Sequence, residues 1–198
     1  MKSVLSDCED HLFSIECEDI ILREFLPSDL ESFHSLTWQP EIHDYLPGWN
    51  VSKEQREEWF FNYELPENKQ FLSAVSNNED IGALRLRLAI ILKETGELIG
   101  WCCSGIKDEL PSPNREIMYA ISRDYRNKGL TTQAARGMIT FLFEKTDIKT
   151  LNAIALTTNL SSNKVIQKCG FAFQNVIELD DEPYNHYTLE KEAWDGGL

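Results

Sequence analysis

The chain has 198 residues, of which 42% are hydrophobic and 11% aromatic, and 33 acidic against 19 basic side chains give it a formal net charge of −14. This size and composition predict one globular domain, and the charge disfavours nucleic acids and anionic membranes as partners. No apolar run reaches membrane-spanning length, no secretory signal is visible, and the five cysteines form no C-x-x-C pair, so we expect a cytoplasmic protein with reduced thiols and no metal site.

Apolar periodicity along the chain predicts a mixed α/β (α+β) fold. Strands are predicted at 12–25, 70–76, 82–92, 97–106, 115–122, 150–156, 171–179 and 184–190, and helices at 28–38, 52–62, 131–145 and 162–169. The strand-helix-strand unit over 115–156 implies that part of the sheet is parallel. Residues 1–11 are expected to form an N-terminal extension to a domain spanning 12–198.

The most informative stretch, residues 116–135, predicts a strand that runs through a polar turn into a helix. Ile117, Tyr119 and Ile121 alternate with the period of a strand, Gly129 suits a tight turn, and apolar residues with helical spacing follow. The turn carries three cations in an otherwise acidic chain, namely Arg123, Arg126 and Lys128. Because a helix start offers unpaired N–H groups and the positive end of a dipole, this turn predicts a polyanion site.

A second informative segment spans residues 159–171. Ser161 or Ser162 is expected to cap a short helix there, and Gly170 to end it. Three residues of the predicted helix are expected to face inward, namely Val165, Ile166 and Cys169.

Both segments resemble motifs of the GNAT N-acetyltransferase superfamily. The spacing Arg126-x-x-Gly129-x-Thr131 is similar to its Q/R-x-x-G-x-G/A signature, although Thr131 replaces a glycine or alanine. Residues 159–171 resemble its N-x-x-S/A-x₇-G-F segment. Further stretches resemble the branch of the ribosomal-protein-alanine N-acetyltransferases, namely Ile20–Leu30, Gly96–Trp101 and Tyr184–Trp194.

The resemblance implies acetyl-CoA as co-substrate and a single domain with a mixed sheet of about seven strands and about four helices. The family's fourth and fifth strands, here 115–122 and 150–156, would splay apart around the cofactor. Pantetheine would pair with the backbone around Tyr119 and Ile121, with Asn159 nearby. The pyrophosphate would lie on the turn formed by Arg126, Asn127, Lys128, Gly129, Leu130 and Thr131.

The resemblance also implies catalytic roles. Glu116 matches the carboxylate that serves as general base, through a water, in the ribosomal-protein branch, with His43 as an alternative base. The tyrosine acid of many family members falls on Ile166, so that acid is missing. Ser162 is then expected to hydrogen-bond the thiolate, with Tyr184 and Tyr187 as weaker alternatives.

The acceptor is expected to be a primary amine, and the net charge favours a cationic one: a basic peptide N-terminus, a polyamine or an aminoglycoside. Aromatic residues in the region expected to wall the acceptor pocket either contact the acceptor or belong to the core, namely Trp38, Trp49, Trp59 and Phe60. Other options are a bulkier acyl donor, a homodimer, and a non-catalytic acyl-CoA-binding module that recruits a protein partner.

Overall fold

A computed structural model of the protein describes residues 12–194 and shows one mixed sheet of eight strands in the order β1-β2-β3-β4-β5-β6-β8-β7. The predicted extension over 1–11 lies outside the described residues. The strands are β1 (Ser14–Glu16), β2 (Ile20–Glu24), β3 (Leu86–Leu92), β4 (Leu98–Ile106), β5 (Arg115–Ile121), β6 (Thr150–Leu156), β7 (Ala172–Leu179) and β8 (Glu182–Glu190). The α-helices are α1 (Leu30–Thr37), α2 (Pro40–His43), α3 (Lys53–Trp59), α4 (Leu65–Ser76), α5 (Leu130–Lys145) and α6 (Leu160–Lys168).

Two apolar clusters cover the two faces of the sheet. Alternate strand residues such as Ile117 and Ile121 join α5 and α6 in one cluster, which we call the α5 face. Their neighbours Met118 and Ala120 join α1, α2 and the segment after α3 in the other cluster, which we call the α1 face. Side chains of β5 therefore point alternately into two separate compartments.

Two local predictions were wrong. The strand predicted at 70–76 is the second half of α4, where Phe71 and Ala74 are buried three residues apart, as on one face of a helix. A short apolar run of this kind fits a strand or a buried helix equally well by pattern. The strand predicted at 12–25 is a hairpin of two strands, β1 and β2. The sheet has eight strands, and the family resemblance implied about seven.

The helix predicted at 52–62 also continues further than expected. A π-helical turn over Phe60–Glu64 joins α3 to α4. Pro66 is the second residue of α4, and proline has no N–H for a regular helical hydrogen bond, so the wider turn accommodates it.

The strands β5 and β6 lie parallel and then part. Glu116 and Asn152 are the pair in register between them, whereas β4 and β5 pair over seven residues from Arg115 to Ile121. An opening between β5 and β6 therefore lies beside residues 117–121, as the family resemblance predicted. Within the described part of the chain, no helix is long and apolar enough to cross a membrane.

Candidate functional site

The turn before α5 has the conformation that an anion-binding helix start requires. Gly129 is the N-cap of α5 in the left-handed region at φ 80°, and no side chain caps the helix. Asn127 also adopts a positive φ of 61°. The N–H groups of the first helical turn have no intrahelical acceptor, so they are available to a phosphate. A cavity of about 720 Å³ opens beside them, lined in part by Gly129, Thr132, Gln133, Arg136 and Lys168.

The cationic side chains of this turn contact the protein itself. Arg126 donates a hydrogen bond to the backbone carbonyl of Glu41. Lys128 Nζ lies 5.0 Å from the centre of the Tyr125 ring, and Arg123 Nε lies 3.6 Å from a carboxylate oxygen of Asp124. Leu130 is buried and Thr131 half-buried, so Leu130 offers a ligand only its backbone. The backbone N–H groups of this turn are therefore the groups that it can offer to an anion.

Gln39 connects the turn before α5 to the segment between α1 and α2, a link that the sequence did not predict. Its amide nitrogen donates to Ser122 Oγ at 3.2 Å, and its amide oxygen accepts from the Arg123 N–H at 3.0 Å. A glutamine in a loop without a recognisable motif carries no sequence signal for such a role. With the Arg126–Glu41 contact, Gln39 joins the predicted acceptor region to the predicted cofactor region.

Glu116 is half-buried on the α1 face, at the point where β5 and β6 part. Burial raises the pKa of its carboxyl to about 7, while nearby Lys107 acts to lower that pKa and Glu109 to raise it. A carboxyl that titrates near neutral pH is well matched to proton abstraction.

Tyr119 and Ser162 contact each other on the α5 face of the sheet, opposite to the face that carries Glu116. The Tyr119 hydroxyl lies 3.2 Å from the Ser162 carbonyl oxygen, to which it donates, and 3.3 Å from Ser162 Oγ. The rings and aliphatic groups of Tyr119 and Ile121 pack with the cluster of the α5 face. Only their backbone groups therefore remain for the pantetheine contacts predicted from the resemblance.

The expected serine cap of α6 was wrong, because Asn159 is the N-cap. Its side-chain oxygen accepts a hydrogen bond from the Ser162 N–H at 3.1 Å. Ser162 is thereby left with a hydroxyl that does not cap the helix. Asn159, predicted as a cofactor contact, holds Ser162 in place at the start of α6. Gly170 follows the helix at φ 85°, as predicted.

The predicted alternatives to Glu116 and Ser162 differ in their burial and hydrogen-bond partners. His43 is the last residue of α2, and its Nδ1 lies 3.1 Å from a carboxylate oxygen of Asp44. Tyr187 is 2% exposed and donates its hydroxyl to Asn163 at 2.8 Å, which places it in the interior. Tyr184 is half-buried, and burial together with nearby acidic groups, including Glu116, raises its pKa. Ile166, at the position of the missing tyrosine acid, is buried.

A second cavity of about 730 Å³ lies between α3, α4 and the start of β3. Its walls include Trp49, Trp59 and Tyr63, and its charged lining consists of Arg56, Arg85, Arg87, Glu58, Glu64 and Glu67. Positive and negative side chains are equal in number there. Of the predicted aromatic wall, Phe60 is fully buried, Trp49 stacks on Trp101 at 5.1 Å, and Trp38 is 50% exposed.

This cavity shares the α1 face with the Glu116 carboxylate. Strand pairing places Gly105 between Arg85 and Glu116. Leu86 pairs with Ser104, which puts Arg85 opposite Gly105, and Gly105 in turn pairs with Glu116. The Arg85 side chain lies across Gly105, where a Cβ would come within 2.8 Å of Arg85 Cγ. The cavity therefore begins two strands away from Glu116.

Comparison with known proteins places the chain in a family. The Acetyltransferase (GNAT) domain matches residues 19–172. The chain is 22% identical over 188 residues to the uncharacterized N-acetyltransferase YnaD of Bacillus subtilis (strain 168), covering 91% of this chain and 98% of that protein.

Two solved structures share the fold. One is RimL, a ribosomal L7/L12 alpha-N-protein acetyltransferase in complex with coenzyme A, at a TM-score of 0.71 and 16% identity over 91% of this chain and 99% of that one. The other is AAC(6')-Ib in complex with paromomycin and acetyl-CoA, at a TM-score of 0.70 and 18% identity over 89% and 96%. The chain belongs to the GNAT acetyltransferase family and is an N-acetyltransferase that uses acetyl-CoA to acetylate an amine.

Proposed function

We propose that this acetyltransferase belongs to the branch that modifies protein N-termini and transfers the acetyl group to the α-amine of a peptide by direct attack in a ternary complex. The observation that carries this proposal is the half-buried Glu116, whose pKa of about 7 lies close to that of an α-amine. RimL, which shares the fold, acts on a ribosomal-protein N-terminus, and this supports the choice of branch.

In this proposal the cofactor lies along the opening between β5 and β6. The pyrophosphate binds the backbone N–H groups of the Arg126–Thr131 turn, and pantetheine pairs with backbone groups of Tyr119–Ile121. The absence of registered β5–β6 pairs after Glu116 among the described residues supports this, because the facing backbone groups of β5 then need another partner. The nucleotide end would occupy the cavity beside Gly129, whose charged lining consists of Arg136, Lys168, Glu16 and Glu18.

The chemistry divides between the two faces of the sheet. On the α1 face, Glu116 takes the proton of the attacking amine, directly or through a water. The nitrogen then forms a bond to the thioester carbonyl carbon, the C–S bond breaks, and its electron pair leaves on sulfur. On the α5 face, the Ser162 hydroxyl donates a hydrogen bond to the thiolate. Charge is thus stabilised where it develops.

The acceptor class follows from the strength of the base. An α-amine with a pKa near 7.7–8.0 is partly neutral at physiological pH, whereas a lysine-type amine near 10.4 needs a stronger base. The net charge of −14 favours a basic peptide. A small cationic compound with a low-pKa amine is the second candidate, supported by AAC(6')-Ib, whose structure was solved with paromomycin.

The proposal is tested by turnover of acetyl-CoA with three classes of acceptor at equal concentration. Short basic peptides with free N-termini are compared with the same peptides carrying blocked N-termini, with aminoglycosides, and with polyamines. We expect turnover with the free peptides and none with the blocked ones, even where these contain lysine. Turnover confined to polyamines would contradict the α-amine assignment, and turnover confined to aminoglycosides would favour the second candidate.

A further inference from the structure

We propose that Arg85 selects the acceptor. Its guanidinium binds a carboxylate side chain at the second or third residue of the acceptor peptide, at the cavity between α3, α4 and the start of β3. This inference rests on the proposed function, in which the α-amine of the peptide lies at Glu116. It adds a local requirement for one acidic side chain to the general preference for a basic peptide.

The two carboxylates that line this cavity beside α4 already have partners in the protein. Glu64 Oε1 accepts a hydrogen bond from Arg56 at 3.2 Å and lies 4.0 Å from Arg87 Nε. Glu67 lies 3.0 Å from Arg87 Nη1 through one oxygen, and through the other it accepts the backbone N–H of Arg85 at 3.2 Å. The charges of Arg56 and Arg87 are therefore balanced within the cavity wall.

Arg85 carries the unpaired positive charge of the lining. Within residues 12–194 its guanidinium forms no ion pair and no hydrogen bond, whereas those of Arg56 and Arg87 form both. Arg85 is exposed, so a ligand can reach it. Glu58, the remaining acidic residue of the lining, is exposed on α3 and accepts a hydrogen bond from the Gln55 amide at 3.0 Å. A free guanidinium offers a planar fork of N–H donors and no acceptor, which matches a carboxylate.

The Arg85 side chain lies between the cavity and the base. It crosses Gly105, where a Cβ would come within 2.8 Å of Arg85 Cγ and 3.2 Å of Arg85 Nε, and Gly105 pairs directly with Glu116. Adjacent strands are about 4.8 Å apart, and an extended peptide advances about 3.4 Å per residue. A peptide that crosses the strands with its amine at Glu116 therefore has its second and third residues over Gly105 and Arg85. Because side chains alternate along an extended chain, one of these two points toward the guanidinium.

The test uses peptides that differ at a single residue. The parent is a basic peptide with a free N-terminus and alanine at positions two, three and five, and each of these positions is replaced in turn by aspartate, asparagine or lysine. The kcat/KM for each peptide is measured with wild type, Arg85→Met and Arg85→Glu. Lys69→Met is the matched control, because it removes one positive charge from an exposed site on α4 that does not line the cavity.

We expect wild type to favour aspartate over asparagine and lysine by about three- to tenfold at position two or three, and to show no preference at position five. Arg85→Met should remove this preference, and Arg85→Glu should reverse it in favour of lysine, a result that misfolding cannot produce. Gly105→Ala should weaken the preference, because the added methyl group displaces the Arg85 side chain. Lys69→Met should keep the wild-type preference.

Equal kcat/KM of wild type for the aspartate and asparagine peptides would overturn the inference, as would a preference for aspartate that survives Arg85→Met. Turnover of the parent peptide by wild type would in either case leave the proposed function intact. If wild type acetylates none of the peptides, the proposed acceptor class is wrong and the inference falls with it.

Discussion

Glu116 lies directly beside Asn152, at the last point where β5 and β6 run together. The Asn152 side chain donates to the carbonyl oxygens of Pro113 at 2.8 Å and Arg115 at 3.3 Å, which fastens β6 to the residues just before Glu116. His186 Nε2 lies 2.8 Å from Asn152 Oδ1 and completes the arrangement. Because the contacts between β5 and β6 end at Glu116, its carboxylate lies where the two strands begin to separate.

Replacing Glu116 by glutamine should lower kcat by roughly 10²–10⁴ while leaving acetyl-CoA affinity nearly unchanged, since the amide cannot accept the proton. In the wild type, kcat should rise with pH through about 7, because only the ionised carboxylate acts as a base and its pKa is raised to about 7. The acid limb of the kcat profile should be missing in Glu116→Gln. A limb that persists unchanged would move the role to His43 or to solvent.

Lys107→Gln tests whether Glu116 is the group that produces the acid limb of the kcat profile. Lys107 lowers the pKa of Glu116, so its removal should move the acid limb to higher pH without abolishing activity. Pre-steady-state measurement of acetyl transfer would show whether the limb belongs to the chemical step. A limb that stays in place in Lys107→Gln would indicate that another group titrates.

Gly129→Val should weaken acetyl-CoA binding in a protein that still folds. No atom lies within 4 Å of a Cβ built at Gly129, so the side chain would meet the incoming pyrophosphate and not the protein. Charge-assisted hydrogen bonds contribute about 1.5–3 kcal/mol each, so the loss of one corresponds to roughly a ten- to hundredfold increase in Kd, measured by calorimetry.

Gly96→Val is the matched control for Gly129→Val. Gly96 also has a positive φ, 72°, and open space at its Cβ position, but it lies in the β3–β4 hairpin. Both variants should lose stability through backbone strain, and only Gly129→Val should lose acetyl-CoA affinity. Equal affinities of the two variants would contradict the assignment of the phosphate site.

Gln39→Leu should raise the Kd for acetyl-CoA about three- to tenfold although Gln39 lies outside the phosphate turn. The substitution removes the hydrogen bonds to Ser122 and to the Arg123 N–H, each worth about 0.5–1.5 kcal/mol, and so loosens the turn. Gln39→Glu should restore most of the affinity, because a carboxylate can accept from both groups. An unchanged Kd in Gln39→Leu would show that the turn holds its shape alone.

Glu64→Leu should destabilise the fold by about 3–5 kcal/mol, measured by urea unfolding, because it leaves a buried arginine without its carboxylate partner. Arg56 is 1% exposed and donates to Glu64 at 3.2 Å, and burial raises the pKa of Glu64. Replacing both residues, with Arg56→Met added, should restore part of the loss. A double variant that is less stable than Glu64→Leu would show that the contacts of Arg56 with Phe33 and Trp49 matter more than the charge pair.

Much of the fold could be predicted from local pattern. The alternation of Ile117, Tyr119 and Ile121 and the helical spacing that follows Gly129 correctly placed β5 and α5. The error at 70–76 arose where an apolar run was too short to show its period, and the burial of Phe71 is a property of the packed helix. Similarly, whether Asn159 or Ser161 caps α6 depends on where the helix starts, which local sequence leaves ambiguous by a residue or two.

The sequence by itself determined which residues carry reactive groups and which turn suits a phosphate, because glycine conformation, residue type and strand or helix period are local properties. Only the tertiary structure decided which of these groups meet. Tyr119 and Ser162 are 43 residues apart in the chain, and Gln39 and Ser122 are 83 apart. The raised pKa of Glu116 likewise depends on burial by elements distant in sequence. Such contacts arise when the helices pack on the two faces of the sheet, and no local pattern encodes them.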